Sequence, residues 1–286
     1  MMDSKVALVT GGSSGIGEAA ARDLNKAGFT VYAAARRTER MASLEQDGIR
    51  TLALDVTDDA SARAAVERVI AAEGRIDVLV NNAGYGSYGA LEEVPLDEAQ
   101  AQLDVNVLGL ARMTQLVLPH MRARRSGTII NISSMGGRFA TPFGSWYHAS
   151  KYAVEGMSDA MRLELAPFGI DVVLIEPGGI RSEWGAIAAD RLRSVSGRGP
   201  YRAQAEATTA TLAASSEPGY RLASPPGVVA RAITTAATAR KPRTRYSVGI
   251  GAAPMIALSR ILPDRVFDKF ITRLTGAATT RLASSA

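Results

Sequence analysis

The 286-residue chain is 47% hydrophobic and 21% charged, which fits one large α/β domain or two small ones and excludes a disordered, collagenous or coiled-coil protein. It has no cysteine and only two histidines, so disulfides, thiolate metal sites and cysteine nucleophiles are excluded and no metal site is expected. The net charge of +5 comes from the C-terminal part of the chain, because residues 181–286 carry 16 basic and 6 acidic side chains.

Short apolar segments alternate with helical patterns from the N-terminus onward, which is typical of βαβ units on a parallel sheet. Strands are predicted at residues 5–10, 30–35, 51–54, 78–81, 128–132 and 171–175. Helices are predicted at residues 18–27, 58–73, 97–122 and 146–167. We therefore expect an α/β protein with at least six parallel strands in one sheet.

The pattern changes after Pro177. Residues 183–224 are rich in Gly, Ser, Ala and Arg and show weak periodicity, which predicts a mobile excursion with one short helix. Regular structure is predicted to return with a helix at 226–239, a possible strand at 245–250 and an amphipathic helix at 263–274. Residues 276–286 are predicted to be a flexible tail.

Three kinds of partner or location are not expected. The basic residues near the C-terminus are scattered and lack the interleaved aromatic residues that stack on bases, so we expect no nucleic-acid partner. Residues 249–262 are interrupted by Pro254 and Arg260 and are too short to span a bilayer, so no transmembrane segment is expected. The N-terminus lacks the apolar stretch of a signal peptide, which makes the cytoplasm the expected location.

A glycine-rich loop follows the first predicted strand and leads directly into a helix. Its residues are Gly11, Ser13, Ser14, Gly15, Ile16 and Gly17. Glycine allows a tight turn and a close approach to a pyrophosphate, which then lies at the positive end of the helix dipole. The spacing is G-x-x-x-G-x-G rather than the usual G-x-G-x-x-G, but its place between strand and helix favours a dinucleotide site.

Tyr147 and Lys151 are four residues apart in a predicted helix and so project from one face. A tyrosine pKa near 10 needs roughly 4 kcal/mol of preferential phenolate stabilisation to reach about 7, and an adjacent ammonium can supply much of it. The pair is therefore a candidate acid–base site. His148 lies between them in sequence but about 100° away on the helix, and we predict a structural role for it.

Together with Asn81-Asn82-Ala83-Gly84 after the fourth predicted strand, the glycine loop and Tyr147-x-x-x-Lys151 resemble the classical short-chain dehydrogenase/reductases over roughly residues 3–182. Residues 31–41, 82–89 and 146–187 resemble the branch that contains 17β-hydroxysteroid and retinol dehydrogenases. The resemblance implies that residues 1–286 form a single α/β domain with a Rossmann-like, doubly wound parallel sheet and helices on both faces. It implies a nicotinamide cofactor and chemistry at a carbonyl or alcohol carbon. It also implies a homodimer or homotetramer in which the helices at 97–122 and 146–167 pair.

The resemblance places the cofactor along the carboxyl edge of the sheet. It implies that Asp55 and the Val56 backbone bind the adenine and that Asn82 lies along its ribose, in a segment continued by Ala83 and Gly84. The turn after the last of these strands would pack on the nicotinamide and bind its carboxamide and the pyrophosphate. Its implied binding residues are Pro177, Gly178, Ile180 and Ser182.

Arg36 and Arg37 stand at the end of the second predicted strand, where an NAD-binding protein places an acid for the ribose 2′-hydroxyl. A guanidinium instead forms charge-assisted bonds to a 2′-phosphate. The sequence therefore favours NADP(H), with Arg36 the better candidate because it is nearer the strand.

The resemblance assigns catalysis to four residues. Tyr147 is the proton donor, and Lys151 lowers its pKa and binds the nicotinamide ribose. Ser134, thirteen residues before Tyr147, orients the substrate oxygen, and Asn106 holds a water against Lys151. The expected reaction is acid–base catalysis coupled to hydride transfer.

The substrate pocket is predicted to use residues 85–88, 135–143, Gly179 and 183–224, which supply large apolar side chains, and residues 183–224 are predicted to be a lid over it. Those side chains are Tyr88, Met135, Phe139, Phe143 and Trp184. Such a lining favours a small hydrophobic ketone, aldehyde or alcohol. Two alternatives stay open: a nonenzymatic NADP-binding sensor, which could lack Tyr147 and Lys151, and a membrane-surface protein using the apolar face of the last helix.

Overall fold

A single parallel sheet of seven strands organises the computed structural model, which describes residues 4–277. The strands are β1 Val6–Thr10, β2 Thr30–Ala35, β3 Arg50–Ala53, β4 Val78–Asn81, β5 Gly127–Ile132, β6 Ile170–Pro177 and β7 Arg245–Val248. Their order is β3-β2-β1-β4-β5-β6-β7. The six predicted strands and the possible strand near 245–250 are confirmed. The chain order reverses between β1 and β4, which opens a crevice at their carboxyl ends.

Eleven α-helices are present within residues 4–277. They are α1 Gly15–Lys26, α2 Ala42–Gln46, α3 Asp59–Glu73, α4 Leu96–Leu103, α5 Leu110–Arg124, α6 Ser145–Leu165, α7 Glu183–Ser196, α8 Arg202–Ala214, α9 Gly227–Thr238, α10 Ala252–Ile261 and α11 Asp264–Leu274. The predicted helices at 226–239 and 263–274 are confirmed as α9 and α11. The helices α2 and α10 were not predicted.

The core forms two layers because successive strand residues face opposite sides of the sheet. On one side, Ala7 and Val9 of β1 pack against α1 and α9, with Leu24 and Ile233 fully buried. On the other side, Leu8 packs against α3 and α5. Both faces are covered, which explains why these strands read as continuous apolar segments and not as alternating ones. The predicted Rossmann-like, doubly wound single domain is confirmed.

The helix predicted at 97–122 is confirmed as a continuous helical segment over residues 96–124, with one π-helical turn at Asp104–Gly109 between α4 and α5. Such a turn carries one extra residue and is frequent at functional sites. It contains Asn106, which is buried.

The prediction of one short helix in residues 183–224 was wrong, because this segment forms a hairpin of two helices, α7 and α8. The hairpin is packed through small side chains. A Cβ on Gly185 would lie 2.7 Å from the carbonyl oxygen of Leu212, and Ala188 and Ala205 are fully buried. Small residues give weak hydrophobic periodicity while allowing close helix contact, which is why the pattern did not reveal the pair.

The last described residues pack on this hairpin. Ala277 is 3% exposed and belongs to the same apolar cluster as Leu192 and Ala205. The start of the predicted tail is therefore packed, while residues 278–286 lie outside the described part of the chain. Within residues 4–277, no helix is both long and apolar enough to cross a membrane.

Candidate functional site

A cavity of about 990 Å³ opens at the carboxyl edge of the sheet. It brings together 16 of the predicted cofactor residues from the glycine loop and the ends of β2 to β6. They are Gly11, Ser13, Ser14, Gly15, Ile16, Arg36, Arg37, Asp55, Val56, Asn82, Ala83, Gly84, Pro177, Gly178, Ile180 and Ser182. Ser134, Tyr147 and Lys151 line the same cavity. Gly17 and Asn106 are buried behind the wall and do not line it.

The glycine loop is fixed by hydrogen bonds from the end of β4. The Asn82 amide Nδ2 donates to the carbonyl oxygens of Thr10 at 3.0 Å and Gly11 at 3.2 Å. Thr10 Oγ1 accepts from the backbone nitrogens of Asn82 and Ala83, each at 3.0 Å. The Asn82 side chain thus stabilises the loop, a role that the sequence did not indicate. Gly11 and Gly15 have φ of +68° and +57°, which favours glycine.

Gly17 is the point of tightest packing in the loop. A Cβ there would overlap the carbonyl oxygen of Gly11 and lie 2.5 Å from Asn82 Nδ2. We expect Gly17→Ala to lower the free energy of unfolding by about 1–3 kcal/mol through overpacking, and to weaken dinucleotide binding. The matched control is Gly156→Ala in α6, where a Cβ meets nothing within 4 Å.

Gly156→Ala should leave binding intact and stabilise the protein by about 0.5–1 kcal/mol, since alanine is the better helix former. Thermal unfolding and cofactor titration measure both variants. Equal stability and binding for the two variants would contradict the close packing of Gly17.

The far end of the cavity carries the groups expected to recognise the adenosine. Asp55 Oδ1 accepts from the backbone nitrogen of Thr57 at 2.9 Å and from its hydroxyl at 2.7 Å. Burial raises the pKa of Asp55, but these two hydrogen bonds and the Arg36 charge outweigh burial and lower it. Asp55 is therefore an ionised hydrogen-bond acceptor at neutral pH.

The two arginines predicted at the end of β2 differ in their surroundings. Both are exposed at the cavity wall. Arg37 Nη2 donates to Ser14 Oγ at 3.3 Å and pairs with Glu183 at the same distance. Arg36 makes no ion pair with any residue in 4–277. Arg40, which the sequence analysis did not single out, donates to Glu183 Oε1 at 2.7 Å.

The predicted catalytic side chains converge on one wall of the cavity. Tyr147 is 7% exposed, and its ring centre lies 5.9 Å from Lys151 Nζ. Lys151 Nζ donates to the carbonyl oxygen of Ile132 at 2.9 Å. Ser134 Oγ accepts from the backbone nitrogen of Gly136 at 3.0 Å, which leaves its hydroxyl proton available to another acceptor.

Burial dominates the protonation of this pair. It raises the pKa of Tyr147 to about 12, although the hydrogen bond with Ser134 lowers it in part. Burial also lowers the pKa of Lys151 to about 8, although the nearby Glu155 carboxylate raises this pKa in part. The tyrosine pKa therefore moves opposite to the direction expected from the sequence, because removal of the phenolate from water outweighs its hydrogen bond with Ser134. Tyr147 is protonated at neutral pH, the form in which it can donate a proton.

Asn106 is fixed by the π turn against the loop after β4. Its Nδ2 donates to the carbonyl oxygen of Tyr85 at 2.9 Å and to Ser150 Oγ at 3.0 Å, and its Oδ1 accepts from the Tyr85 backbone nitrogen at 3.0 Å. The side chain is occupied by protein partners. Its direct effect is to position Tyr85 and the adjoining Gly84, whose Cβ would lie 3.8 Å from Lys151 Nζ.

A buried ion cluster behind Lys151 was not found from the sequence. Glu155 Oε2 accepts from Arg245 at 3.1 Å and from Arg138 at 3.3 Å, and Glu176 pairs with both arginines at 3.4 Å. Burial raises the pKa of Glu155. Glu155 lies one helical turn after Lys151, so the four-residue spacing in the sequence could have indicated that the two side chains are close. Its partners lie on β7 and on the turn after β5, which no local pattern specifies.

Aromatic rings cover the other side of the cavity. The Trp184 ring centre lies 5.1 Å from that of Tyr147 and 5.7 Å from that of Tyr88. Met135, Phe139 and Gly179 also line the cavity. Phe143 does not line it, contrary to the prediction: its backbone has φ of +66°, and its ring packs 6.2 Å from that of Tyr201.

His148 has the structural role predicted for it. Its Nε2 accepts from the backbone nitrogen of Thr141 at 2.9 Å, which leaves Nδ1 to donate to the carbonyl oxygen of Gly136 at 2.8 Å. Burial lowers its pKa, so the ring is neutral. It thereby fixes the turn after Ser134.

A parallel sheet with a glycine loop at its switch point, and a Tyr–Lys pair beside it, defines a nucleotide-binding oxidoreductase. The family model described as short chain dehydrogenase matches residues 5–191. The chain therefore belongs to the short-chain dehydrogenase family.

Three curated relatives illustrate the range of the family around this chain. A 3-ketodihydrosphingosine reductase of Bacteroides thetaiotaomicron is 46% identical over 62% of this chain and 64% of its own length. An NADPH-dependent 3-dehydrocapnine reductase of Ornithobacterium rhinotracheale is 35% identical over 93% and 95%. Estradiol 17-beta-dehydrogenase 1 of Rattus norvegicus is 38% identical over 86% and 74%, which confirms the resemblance to the 17β-hydroxysteroid dehydrogenase branch.

Solved structures show the same fold. A short-chain dehydrogenase from Streptomyces avermitilis superposes with a TM-score of 0.78 at 33% identity, over 98% of this chain and all of the other. A metagenomic short-chain oxidoreductase in complex with NADP gives 0.66 at 28% identity, over 85% and 96%.

Proposed function

We propose that this chain is an NADP(H)-dependent oxidoreductase that reduces the carbonyl group of a hydrophobic ketone or aldehyde and can oxidise the corresponding alcohol. The observation that carries the proposal is the single cavity in which Ser134, Tyr147 and Lys151 face the aromatic rings of Tyr88 and Trp184. Because these catalytic side chains are present together, a nonenzymatic sensor is not favoured.

The residues at the cavity wall fit a dinucleotide. The glycine loop presents backbone without side chains at the start of α1, and Gly15 has only Ser182 near the position of a Cβ, at 3.4 Å. Ser13, Ser14 and Ser182 supply hydroxyl groups beside it, and Arg36 and Arg37 supply positive charge at the adenosine end. This charge favours a 2′-phosphate and thus NADP(H) over NAD(H). One relative is named as NADPH-dependent and one solved neighbour is an NADP complex, while another neighbour is an NADH complex, so the choice rests on the two arginines.

When bound, NADPH would supply the hydride for the carbonyl carbon. The Tyr147 hydroxyl would donate its proton to the substrate oxygen. Ser134 would donate a hydrogen bond to the same oxygen and stabilise the negative charge that develops there. Lys151 would stabilise the resulting phenolate and bind the nicotinamide ribose. Asn106, which positions Tyr85 and Gly84 next to Lys151, would support the return of a proton from solvent.

The cavity wall supports a bulky apolar substrate. The hairpin of α7 and α8 contributes Trp184, Ile187 and Leu212 to it, and Leu222 follows the hairpin. Three relatives carry the names of sphingosine-like, capnine-like and steroid substrates, and these names suit an apolar pocket. Residues 183–224 would then act as the lid of that pocket.

The chain length of the substrate should control the rate if the pocket is apolar. Each buried methylene contributes about 0.8 kcal/mol, so kcat/KM with NADPH should rise roughly fourfold per added carbon in a series of homologous ketones until the pocket is full. Bound ligand should also protect the connection between α7 and α8, at residues 197–201, from proteolysis.

The same ketone series measured with NADH distinguishes the effect of the pocket on kcat/KM from the effect of the cofactor. It should show the same chain-length dependence at a lower rate. A flat series together with unchanged cleavage at 197–201 would reject the apolar lid and leave the oxidoreductase class intact.

We also propose that the protein is a cytoplasmic homodimer or homotetramer in which the helices α4–α5 and α6 pair across a dimer axis. Leu108, Tyr152 and Leu163 support this proposal, because they are 48%, 48% and 73% exposed on these elements. Sedimentation equilibrium measures the mass independently of shape, and the mass of one chain would contradict this proposal.

A further inference from the structure

The start of α7 is attached to the cofactor end of the cavity by an acid–base cluster. Glu183 is the first residue of α7, and its Oε1 accepts from Arg40 at 2.7 Å while its Oε2 pairs with Arg37 Nη2 at 3.3 Å. Arg37 Nη2 also donates to Ser14 Oγ at 3.3 Å in the glycine loop. A carboxylate is thus bound at one of the guanidinium groups proposed to bind the 2′-phosphate.

We propose that Glu183 is a specificity-determining residue that occupies the 2′-phosphate site in place of the phosphate. A 2′-phosphate would replace Glu183 as the anionic partner of Arg37, and NAD(H), which carries no 2′-phosphate, would leave the Arg37–Glu183 pair intact. The inference rests on the proposed function, since it requires binding of NADP(H).

The charges favour this exchange. The Arg37 and Glu183 side chains are 44% and 47% exposed, and ion pairs exposed to this degree contribute little to stability. A phosphate carries up to two negative charges and offers three acceptor oxygens to a guanidinium, so it is the stronger partner. Arg40 remains available to Glu183 after the exchange, which keeps the carboxylate paired.

Replacement of Glu183 by the 2′-phosphate at Arg37 also affects the proposed catalytic site, because Trp184 follows Glu183 directly in the chain. The Trp184 ring lies against Tyr147 and Tyr88, and a Cβ on Gly86 would overlap its edge at 2.5 Å. Loss of the Arg37 contact leaves Glu183 attached through Arg40 alone, so the first turn of α7, and with it the ring that covers Tyr147, is less constrained. Glu183 therefore couples recognition of the 2′-phosphate to access at the proton donor.

The test uses 2′-AMP and 5′-AMP, which contain the adenosine end alone, and measures binding by calorimetry. Glu183→Gln removes the competing charge, so 2′-AMP should bind about two- to fivefold more tightly and 5′-AMP should bind as before. The matched control is Asp190→Asn on the same helix, which neutralises an exposed ion pair with Arg193 and should change neither affinity. In an Arg37→Gln background, Glu183→Gln should no longer increase the affinity for 2′-AMP.

Fluorescence of Trp184, recorded in a Trp146→Phe background, reports the movement. Addition of 2′-AMP should change the emission, and the change should be smaller in Glu183→Gln. If 2′-AMP binds but Glu183→Gln matches Asp190→Asn in affinity and emission, the exchange is rejected while NADP(H) use stands. If 2′-AMP binds no better than 5′-AMP to any variant, NADP(H) preference is rejected and the exchange with it.

Discussion

Tyr147→Phe is expected to lower kcat by about 100-fold or more while changing NADPH affinity little. The substitution removes only the hydroxyl group, and loss of a positioned general acid typically costs this much. The pKa of Tyr147 is raised to about 12, so the wild-type hydroxyl carries its proton across the neutral range. The ring contacts with Trp184 and Tyr88 remain in the variant. Steady-state kinetics and NADPH titration measure the two quantities separately.

The matched control is Tyr152→Phe, which removes the same group from an exposed tyrosine of α6 and should retain wild-type turnover. Near-normal turnover in Tyr147→Phe would show that another group donates the proton. A parallel loss of NADPH binding would instead show that the phenol is needed to form the cofactor site.

Arg36→Asp should weaken NADP(H) binding by roughly 10- to 150-fold, because one charge-assisted phosphate contact contributes on the order of 1.5–3 kcal/mol. NAD(H) should bind more tightly than before, since an acid at the end of β2 can accept from the ribose 2′-hydroxyl. Arg36 is exposed at the cavity wall, and Arg37 next to it already pairs with Glu183. The preference between the two cofactors should therefore be reversed.

The control for Arg36→Asp is Arg231→Asp, which makes the same change of charge at an exposed position of α9 and should leave both affinities unchanged. Equal binding of NAD and NADP by the wild-type protein would already contradict the role of Arg36. A uniform loss of both cofactors in Arg36→Asp would indicate a general charge effect at the site.

Local sequence patterns were enough to predict part of the candidate site. The glycine loop, Tyr147 and Lys151 could be found because each depends on spacing within one strand–loop–helix unit or one helix face. The tyrosine pKa could not be derived in this way. Its direction depends on how deeply Tyr147 is buried beneath Trp184, and that ring comes from a helix 37 residues later in the chain.

Local patterns were enough to predict the parallel α/β sheet and the carboxyl edge at which the cavity forms, because apolar strand segments and glycine positions are read within short stretches of sequence. Contacts between residues far apart in the sequence determine which side chains cover that edge and which charged groups lie beside it. Arg37 and Glu183 are 146 residues apart, Arg245 reaches Glu155 across 90 residues, and Phe143 packs against Tyr201 and does not line the cavity. The helical hairpin of 183–224 also depends on tertiary packing. Its alanines and glycines give no strong hydrophobic pattern in the sequence, and they are buried because two helices approach each other closely.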